Sequence, residues 1–386
     1  MKIVMSDRLV KTDSGYFKPF TRYVISDFEL NVLLEGTPNT NWKWSSFNAW
    51  NRPCGGRDLN GKSLLIYRHN AWGDQLIASA IPRYLKTLYP YSKIHMYCHP
   101  EVLPLWLGNV FLEGSAIPLP IPFEATQRYD CHAFFEGMLE GNSEPDQNCC
   151  YDDFFGTMGY LDVPAKFKKP YILPQPEDYA DCDKMMKKLG ITSKAPYMVY
   201  HISPANKNRC YPPQKGLAFL KMFKEQYPEM SVYVVGYDPK GEYTIALNEL
   251  ACYNLLGKTE TFRTLVPIVE RASLLVCPDS SIMHLAAAFD VPTISLWGLF
   301  HPNDRAKYYV NHYPIFHGTE ACPYSPCRDR NFQLPLVNCK DAWPSRKREG
   351  IEYCFGLSKI EPEEIMTLVE RVINETHIET RKKKGL

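Results

Sequence analysis

The 386-residue chain lacks several features that would each have fixed its class at once. No apolar run approaches the roughly 18 residues of a membrane-spanning helix, and the opening residues MKIVMSDRLVKTDSGYF lack the apolar core of a signal peptide. A large excess of one charge sign is also missing, because 44 basic and 43 acidic residues leave a net charge of +1. The composition therefore predicts no general attraction to nucleic acid or to membranes.

Regular cysteine spacing is absent as well. The 13 cysteines are scattered along the chain, which predicts mostly buried free thiols and a reducing, cytoplasmic compartment. No G-x-G-x-x-G follows a predicted strand, which disfavours an NAD-dependent dehydrogenase. No acidic pair has a clear D-x-D placement, so the sequence offers no obvious carboxylate site for a metal-bound diphosphate.

Predicted strands and helices alternate twice along the chain, which indicates an α/β protein with parallel sheets. The first series has strands at 63–68 and 94–98 around a helix at 74–89, which Pro82 should kink or divide. The second contains strands at 197–202, 231–235 and 274–277, with helices at 214–226, 243–251 and 262–272. Two such series predict two Rossmann-like domains that face a cleft, with ligands beyond the carboxyl ends of the strands.

The predicted domains follow from this alternation. Residues 1–60 form an irregular, hairpin-bearing extension packed on the first domain, which covers 61–180 and ends in a crossing linker at 170–176. Residues 190–358 form the second domain, and 359–386 hold a last helix and a basic tail. The segment 117–121 is predicted as an edge strand, since Pro118 and Pro120 cannot donate to a sheet.

The segment 272–300 is the most informative part of the chain. A buried strand runs into Pro278-Asp279-Ser280-Ser281, and a helix follows, with Asp279 or a nearby serine as its predicted cap. A helix start at the carboxyl end of a parallel strand presents unpaired N–H groups and binds anions. His284 falls in the first turn, where it can offer a proton or a hydrogen bond. This arrangement predicts a diphosphate site.

These residues carry a family resemblance. The Asp279–His284 segment, followed by Pro292-Thr293 and Trp297-Gly298, resembles the donor-site signature of the ADP-heptose:lipopolysaccharide heptosyltransferases, glycosyltransferase family 9. Three further motifs resemble the family's in the same order: Trp72-Gly73-Asp74 after the first strand, Ser203 with Arg209-Cys210-Tyr211-Pro212, and Gly257-Lys258-Thr259 before a helix. The likeness spans roughly residues 60–375. Ser281 stands where the family has glycine, and Arg209 where it has lysine.

The resemblance implies the GT-B fold and an inverting, metal-independent glycosyltransferase with no required cofactor. Its donor is an ADP- or UDP-linked sugar, and its acceptor is a hydroxyl of a glycan or lipopolysaccharide core. Asp74 becomes the candidate general base, although an aspartate at a helix start also serves as a cap. The expected diphosphate ligands are Ser203, Lys207, Arg209, Asp279, Ser280, Ser281 and His284, and the expected nucleoside ligands are Asp238, Thr259 and Glu260.

Other functions stay open at this stage. A modified DNA base is one alternative acceptor, and the basic run 166–169 offers a local patch for it. A degenerate, non-catalytic protein that binds nucleotide sugars is another. Four cysteines near the C-terminus are candidate zinc ligands, but they lack a C-x-x-C knuckle, and a loop of free thiols explains them equally. They are Cys322, Cys327, Cys339 and Cys354.

Overall fold

The structure is a computed structural model. It describes residues 2–12, 15–25, 27–46, 57–69, 71–134, 149–192, 195–204, 209–259, 261–322, 325–326 and 353–376. The chain divides into two compact units, Met1–Leu173 and Pro174–Leu386. The division falls inside the predicted linker at 170–176, so residues 174–180 of the predicted first domain lie in the second unit.

The first 46 residues are more regular than the sequence indicates. They form β1 (Lys2–Met5), β2 (Val10–Thr12), β3 (Gly15–Phe17), β4 (Tyr23–Ile25), α1 (Asp27–Gly36) and β5 (Lys43–Ser46). The predicted hairpin is β2–β3, but β5, β1 and β4 also pair in an antiparallel sheet. These strands have only three or four residues, too few for an alternating pattern to show. Their buried side chains, including Val4, Phe17 and Trp42, form a small core of their own.

The rest of the first unit contains the predicted parallel sheet, in the order β10-β6-β7-β8. Its strands are β6 (Ser63–Tyr67), β7 (Lys93–Cys98), β8 (Ile117–Pro118) and β10 (Cys131–Phe134), and β9 (Ile121–Pro122) joins the antiparallel sheet beside β4. The segment 117–122 is thus split into two edge strands, which agrees with its prolines. The helices are α2 (Trp72–Ala78), α3 (Ala80–Leu88), α4 (Phe123–Thr126) and α5 (Cys150–Thr157), with 3-10 turns at Pro100–Trp106 and Ala165–Phe167.

The predicted helix at 74–89 is two helices that meet at Ser79. The second helix, α3, places Pro82 in its first turn, where a missing N–H leaves no helical hydrogen bond unmade. The predicted helix is therefore divided rather than kinked, and Pro82 lies in its second part. Division was one of the two outcomes predicted from Pro82.

The second unit is a six-stranded parallel sheet in the order β13-β12-β11-β14-β15-β16. Its strands are β11 (Tyr197–His201), β12 (Ser231–Val235), β13 (Tyr253–Asn254), β14 (Leu274–Pro278), β15 (Thr293–Leu296) and β16 (His312–Ile315). The helices are α6 (Pro176–Lys188), α7 (Pro213–Gln226), α8 (Glu242–Glu249), α9 (Phe262–Glu270), α10 (Ser281–Ala288), α11 (Pro302–Ala306), α12 (Phe355–Ser358) and α13 (Pro362–Thr376). In order along the chain, the strands are arranged 3-2-1-4-5-6, the doubly wound Rossmann order.

A buried ion pair ties α6 to this unit. The Arg263 guanidinium, on α9, binds both carboxylate oxygens of Asp178 on α6, and both side chains are buried. The main core lies between the sheet and helices α7, α8 and α13, with Val234, Val276 and Val369 fully buried. None of the described helices is both long and apolar enough to cross a membrane.

Two buried histidines make the second unit sensitive to acid. His201 ends β11 and His312 begins β16. Burial lowers the pKa of each imidazole from 6.5 to about 4. A smaller lowering comes from Arg209 at His201 and from His284 at His312. Both rings are therefore neutral in the folded protein at pH 6.

We predict that the free energy of unfolding falls as pH drops from 6.5 towards 4. In the unfolded chain these histidines become protonated as the pH falls below 6.5. In the folded chain they become protonated only near pH 4. Each buried ring thus contributes up to roughly 3 kcal/mol above pH 6.5 that is lost on acidification. Denaturant unfolding at several pH values measures this, and His312→Gln should flatten the slope. Wild-type stability that is constant between pH 6.5 and 5 would contradict it.

Candidate functional site

The strand order of the second unit reverses between β11 and β14. These two strands are hydrogen-bonded neighbours, with Met198 opposite Leu274 and Tyr200 opposite Val276. The segment after β11 and the turn after β14 consequently leave the sheet side by side at its carboxyl edge. In sheets of this type such a reversal opens the crevice in which ligands bind.

The turn after β14 leads directly into α10. Asp279 and Ser280 follow the strand, and Ser280 occupies the N-cap position with extended backbone angles. Its side chain makes no capping hydrogen bond, so the predicted serine cap is not found. The Ser280 hydroxyl is buried and makes no hydrogen bond with oxygen or nitrogen among the described residues; its polar neighbour is the Cys277 thiol.

The Asp279 carboxylate lies between two arginines instead of capping the helix. Arg209 Nη1 is 3.5 Å from Asp279 Oδ2 and 3.4 Å from its carbonyl oxygen. Arg305 Nη1, from α11, is 3.8 Å from Asp279 Oδ1. Asp279 is only 3% exposed, and a carboxylate so far from water requires compensating charge. The attraction of the two guanidiniums explains why the carboxylate is not a cap.

Arg305 is a residue that the sequence interpretation missed. It lies in the short helix that follows β15, the next strand of the sheet after β14. The signal was available, since a basic residue shortly after the carboxyl end of a neighbouring strand reaches the same edge.

His284 is more enclosed than the sequence indicates. It lies in the first turn of α10, as predicted, but only 1% of it is exposed. Its Nδ1 is 2.6 Å from the Tyr309 hydroxyl, and the two rings meet edge to face. The structure therefore gives His284 a protein partner, and its contact with an anion stays a prediction.

The other predicted ligands of the second unit have structural partners or lie outside the described chain. Ser203 Oγ accepts a hydrogen bond from the Tyr237 N–H at 2.6 Å and so joins the ends of β11 and β12. The Asp238 carboxylate accepts the N–H groups of Glu242, Tyr243 and Thr244, which makes it the cap of α8. Ser281 is the first residue of α10.

Of the remaining candidate ligands for the nucleoside and the diphosphate, only Thr259 lies within the described residues. Thr259 is half-buried in the turn before α9, whose cap is Thr261. Lys207 and Glu260 lie outside the described residues. The structure thus brings together Arg209, Asp279 and Ser280 from the predicted set, and adds Arg305.

Asp74 occupies the corresponding edge of the first unit. It lies in the first turn of α2, shortly after β6, and forms an ion pair with Arg68. The residue before the helix, Ala71, has a left-handed φ of 66°, a conformation that costs energy for a residue other than glycine. The tight turn therefore places Asp74 at the carboxyl end of the strand, where the sequence predicts it.

A second cluster at this edge was not predicted from the sequence. The Glu29 carboxylate, on α1, accepts the Tyr67 hydroxyl at 2.7 Å and lies 3.0 Å from His69 Nε2. Glu29 is buried. The His69 ring in turn contacts His99, which follows β7, with centroids 5.3 Å apart. Helix α1 of the N-terminal extension is thereby attached to the end of the parallel sheet.

The C-terminal cysteines are described only in part. All ten cysteines of the described chain are unbridged and nine of them are buried, as the composition predicts. Cys322 and Cys354 are among the buried ones, while Cys327 and Cys339 lie outside the described residues. Within those residues no three histidine, cysteine, aspartate or glutamate side chains are grouped to hold a metal ion.

Comparisons with known proteins identify similar glycosyltransferases. A family model described as glycosyltransferase family 9 (heptosyltransferase) matches residues 143–334. Lipopolysaccharide heptosyltransferase 1 of Campylobacter coli is 24% identical over 144 residues, which are 34% of this chain and 42% of the relative. The chain therefore matches less than half the length of this curated relative.

Two solved structures share the fold over most of the chain. A glycosyltransferase family 9 protein from Veillonella parvula has a TM-score of 0.62 at 14% identity, covering 83% of this chain and 99% of that one. The dodecameric, iron-containing heptosyltransferase TibC of enterotoxigenic E. coli, in complex with ADP-D-beta-D-heptose, has a TM-score of 0.54 at 13% identity and covers 97% and 91%. Together, the family model and these structures support a heptosyltransferase-like protein similar to glycosyltransferase family 9, and the fold that the chain shares with the solved structures is GT-B.

Proposed function

We propose that this protein transfers a heptose-like sugar from an ADP-linked donor to a hydroxyl of a glycan acceptor, with inversion at the anomeric carbon. The observation that carries the proposal is the buried Asp279 carboxylate between Arg209 and Arg305, at the start of α10 and at the strand-order reversal. The names of the similar proteins support the donor, since one is a lipopolysaccharide heptosyltransferase and another holds ADP-D-beta-D-heptose.

The chemistry of the leaving group suits these residues. As the bond between the anomeric carbon and the phosphate oxygen breaks, the bond's electrons stay on the nucleoside diphosphate, whose negative charge grows. Two guanidiniums and the N-terminus of α10 stabilise that charge. Because these groups supply positive charge at fixed positions, we propose that no metal ion is needed at the diphosphate.

The attacking hydroxyl needs a proton acceptor. We assign this role to the Asp74 carboxylate, which takes the proton as the acceptor oxygen bonds to the anomeric carbon. One displacement of this kind inverts the configuration. Arg68 holds the Asp74 side chain through their ion pair and is thus a positioning residue.

A glycan acceptor is favoured over DNA by the charges of the first unit. The basic run 166–169 was the local patch that pointed to nucleic acid. Its central cation, Lys168, is buried and forms an ion pair with Asp152 at 2.6 Å. One of the three lysines is therefore neutralised within the protein, which leaves a weak electrostatic surface for a phosphate backbone.

We expect Asp74→Asn to lower the rate of sugar transfer by a factor of about 10² to 10⁴, the range for loss of a general base. The amide cannot accept the proton, but the donor residues of the second unit are untouched. ADP release from ADP-heptose, measured with acceptor, gives the rate, and calorimetry gives the ADP affinity. The exposed Asp162→Asn in the same unit is the control. A variant that keeps more than a tenth of the rate would remove Asp74 from this role.

The packing around Cys322 and Cys354 leads to a second, separate proposal, which concerns a bound metal ion. The Cys354 Sγ and Leu357 pack so closely on Gly298 that a Cβ there would lie 2.8 Å from the sulfur. The Ser325 hydroxyl donates to the Gly298 carbonyl at 2.7 Å, and the Ser325 N–H donates to the Cys322 carbonyl. The segments that carry Cys322 and Cys354 thus converge on one glycine.

We propose that Cys322, Cys327, Cys339 and Cys354 hold one structural metal ion. Four thiolates suit tetrahedral iron or zinc, and TibC is described as iron-containing. This ion would hold the segments that carry Cys322 and Cys354 against the loop after β15. It would have no part in the chemistry at the diphosphate.

Purified protein should contain about one equivalent of iron or zinc by elemental analysis. Cys322→Ser should reduce that content by more than half and lower the melting temperature, since a structural site contributes to folding. Cys252→Ser, which changes another buried thiol of the second unit, should keep the metal. Metal-free protein of wild-type stability, or full metal content in Cys322→Ser, would contradict the proposal.

A further inference from the structure

A buried carboxylate of the N-terminal extension contacts the chain at the end of β6. It belongs to Glu29, on α1. Glu29 Oε2 accepts the Tyr67 hydroxyl at 2.7 Å, and Oε1 lies 3.0 Å from His69 Nε2. An ionised carboxylate accepts hydrogen bonds and donates none. Each of its oxygens therefore holds one donor of the segment that leads from the sheet towards Asp74.

The two residues after β6 keep the extended geometry of the strand. Tyr67 pairs with Tyr97 of β7. Beyond the strand end, the Arg68 N–H donates to the Tyr97 carbonyl, and the His69 carbonyl accepts an N–H group from the residue after β7. Successive side chains of an extended chain point to opposite sides. Tyr67 and His69 therefore face Glu29 together, and the side chain of Arg68 between them is directed away from it.

Arg68 is the residue that holds the proposed base. Its guanidinium forms the ion pair with Asp74, and both side chains are mostly buried. The turn between these two residues is closed by Gln75, whose amide group donates to the Arg68 carbonyl at 2.8 Å. The other end of that amide accepts the indole N–H of Trp106. The backbone of Arg68 is thus fixed from inside the turn, and the contacts of Glu29 with its two neighbours fix the side to which its guanidinium points.

We propose that Glu29 is a positioning residue for sugar transfer, because its contacts with Tyr67 and His69 keep Arg68 directed at the Asp74 carboxylate. The inference rests on the proposed function, since it takes Asp74 as the base that accepts the proton of the acceptor hydroxyl. It gives the N-terminal extension a part in the reaction. Misplacement of a reacting group by about 1 Å lowers a rate by up to about 10², so a residue that does not touch the substrate still affects the rate.

The competing explanation is that Glu29 only attaches α1 to the sheet. In that case its loss loosens the extension as a whole, and any loss of rate is independent of Asp74. The two explanations differ in how the effects of two substitutions combine. Independent substitutions multiply their effects on a rate, whereas substitutions in residues that act as one unit do not.

The test measures kcat and ADP affinity of the full-length protein, from ADP release with ADP-heptose and lipopolysaccharide core oligosaccharide and from calorimetry. Glu29→Gln keeps the side-chain shape, but its amide offers one acceptor oxygen for two donors. It should lower kcat about tenfold or more and keep the wild-type ADP affinity. Combined with Asp74→Asn, it should lower the remaining rate by less than about twofold, because no base is left to position.

A second variant and a matched control complete the test. Tyr67→Phe removes one of the two donors and keeps the ring. It should lower kcat by a smaller factor than Glu29→Gln, with the same dependence on Asp74, and it carries the test where Glu29→Gln does not fold. The control is Glu124→Gln, which breaks an ion pair with Arg22, another link between the N-terminal residues and the rest of the first unit. It should keep the wild-type kcat.

The outcomes separate the two levels of the account. Wild-type protein that releases no ADP, or an Asp74→Asn variant that keeps its rate, would overturn the proposed function and this inference with it. If Glu29→Gln and Tyr67→Phe keep the wild-type kcat, or multiply the loss caused by Asp74→Asn by their full factor, the inference alone is wrong. A loss of kcat in Glu124→Gln equal to that in Glu29→Gln would likewise contradict it, because attachment of the extension would then explain both.

Discussion

The site depends on a buried carboxylate with two partners. Asp279 follows directly after β14 and is nearly inaccessible to water, and cations from two other segments approach its carboxylate. Those segments follow β11 and β15, the strands on either side of β14. A single charge thereby joins three neighbouring strand ends at the carboxyl edge of the sheet, where the Rossmann strand order places a ligand.

The loop after β15 connects this charge cluster to the C-terminal part of the chain. Phe300 stacks on Arg305, and two residues earlier in that loop Gly298 is covered by Cys354 and by the hydrogen bond from Ser325. Glycine is required at 298 because a Cβ would also meet Leu357 at 3.0 Å. The packing of Ser325, Cys354 and Leu357 on Gly298 therefore restrains the loop from which α11 and Arg305 follow. In the first unit, Glu29 has a comparable role, since it fastens α1 to Tyr67 and His69 at the end of β6.

Much of this architecture could be predicted from the sequence. Long buried strands such as β11, β12 and β14 have continuous apolar runs, and the polar turn with its following helix at 278–288 was recognisable because it is contiguous. The sheet of residues 2–46 was not, since strands of three or four residues carry no readable period. Arg305, Tyr309 and the Glu29–His69 pair were also missed, because their contacts join residues that are 25 or more positions apart. Asp238 was predicted as a nucleoside ligand from its place at a strand end; its carboxylate accepts N–H groups at the start of α8, and its contact with a nucleoside stays a prediction.

The central claim is that the second unit binds a nucleoside diphosphate between Arg209, Arg305 and the start of α10. An experimental structure of the protein with ADP tests it most directly. The account predicts diphosphate oxygens within about 3.2 Å of both guanidiniums, with at least one N–H group of the first turn of α10 donating to them. An ADP molecule bound elsewhere on the chain, or a diphosphate that contacts neither arginine, would contradict it.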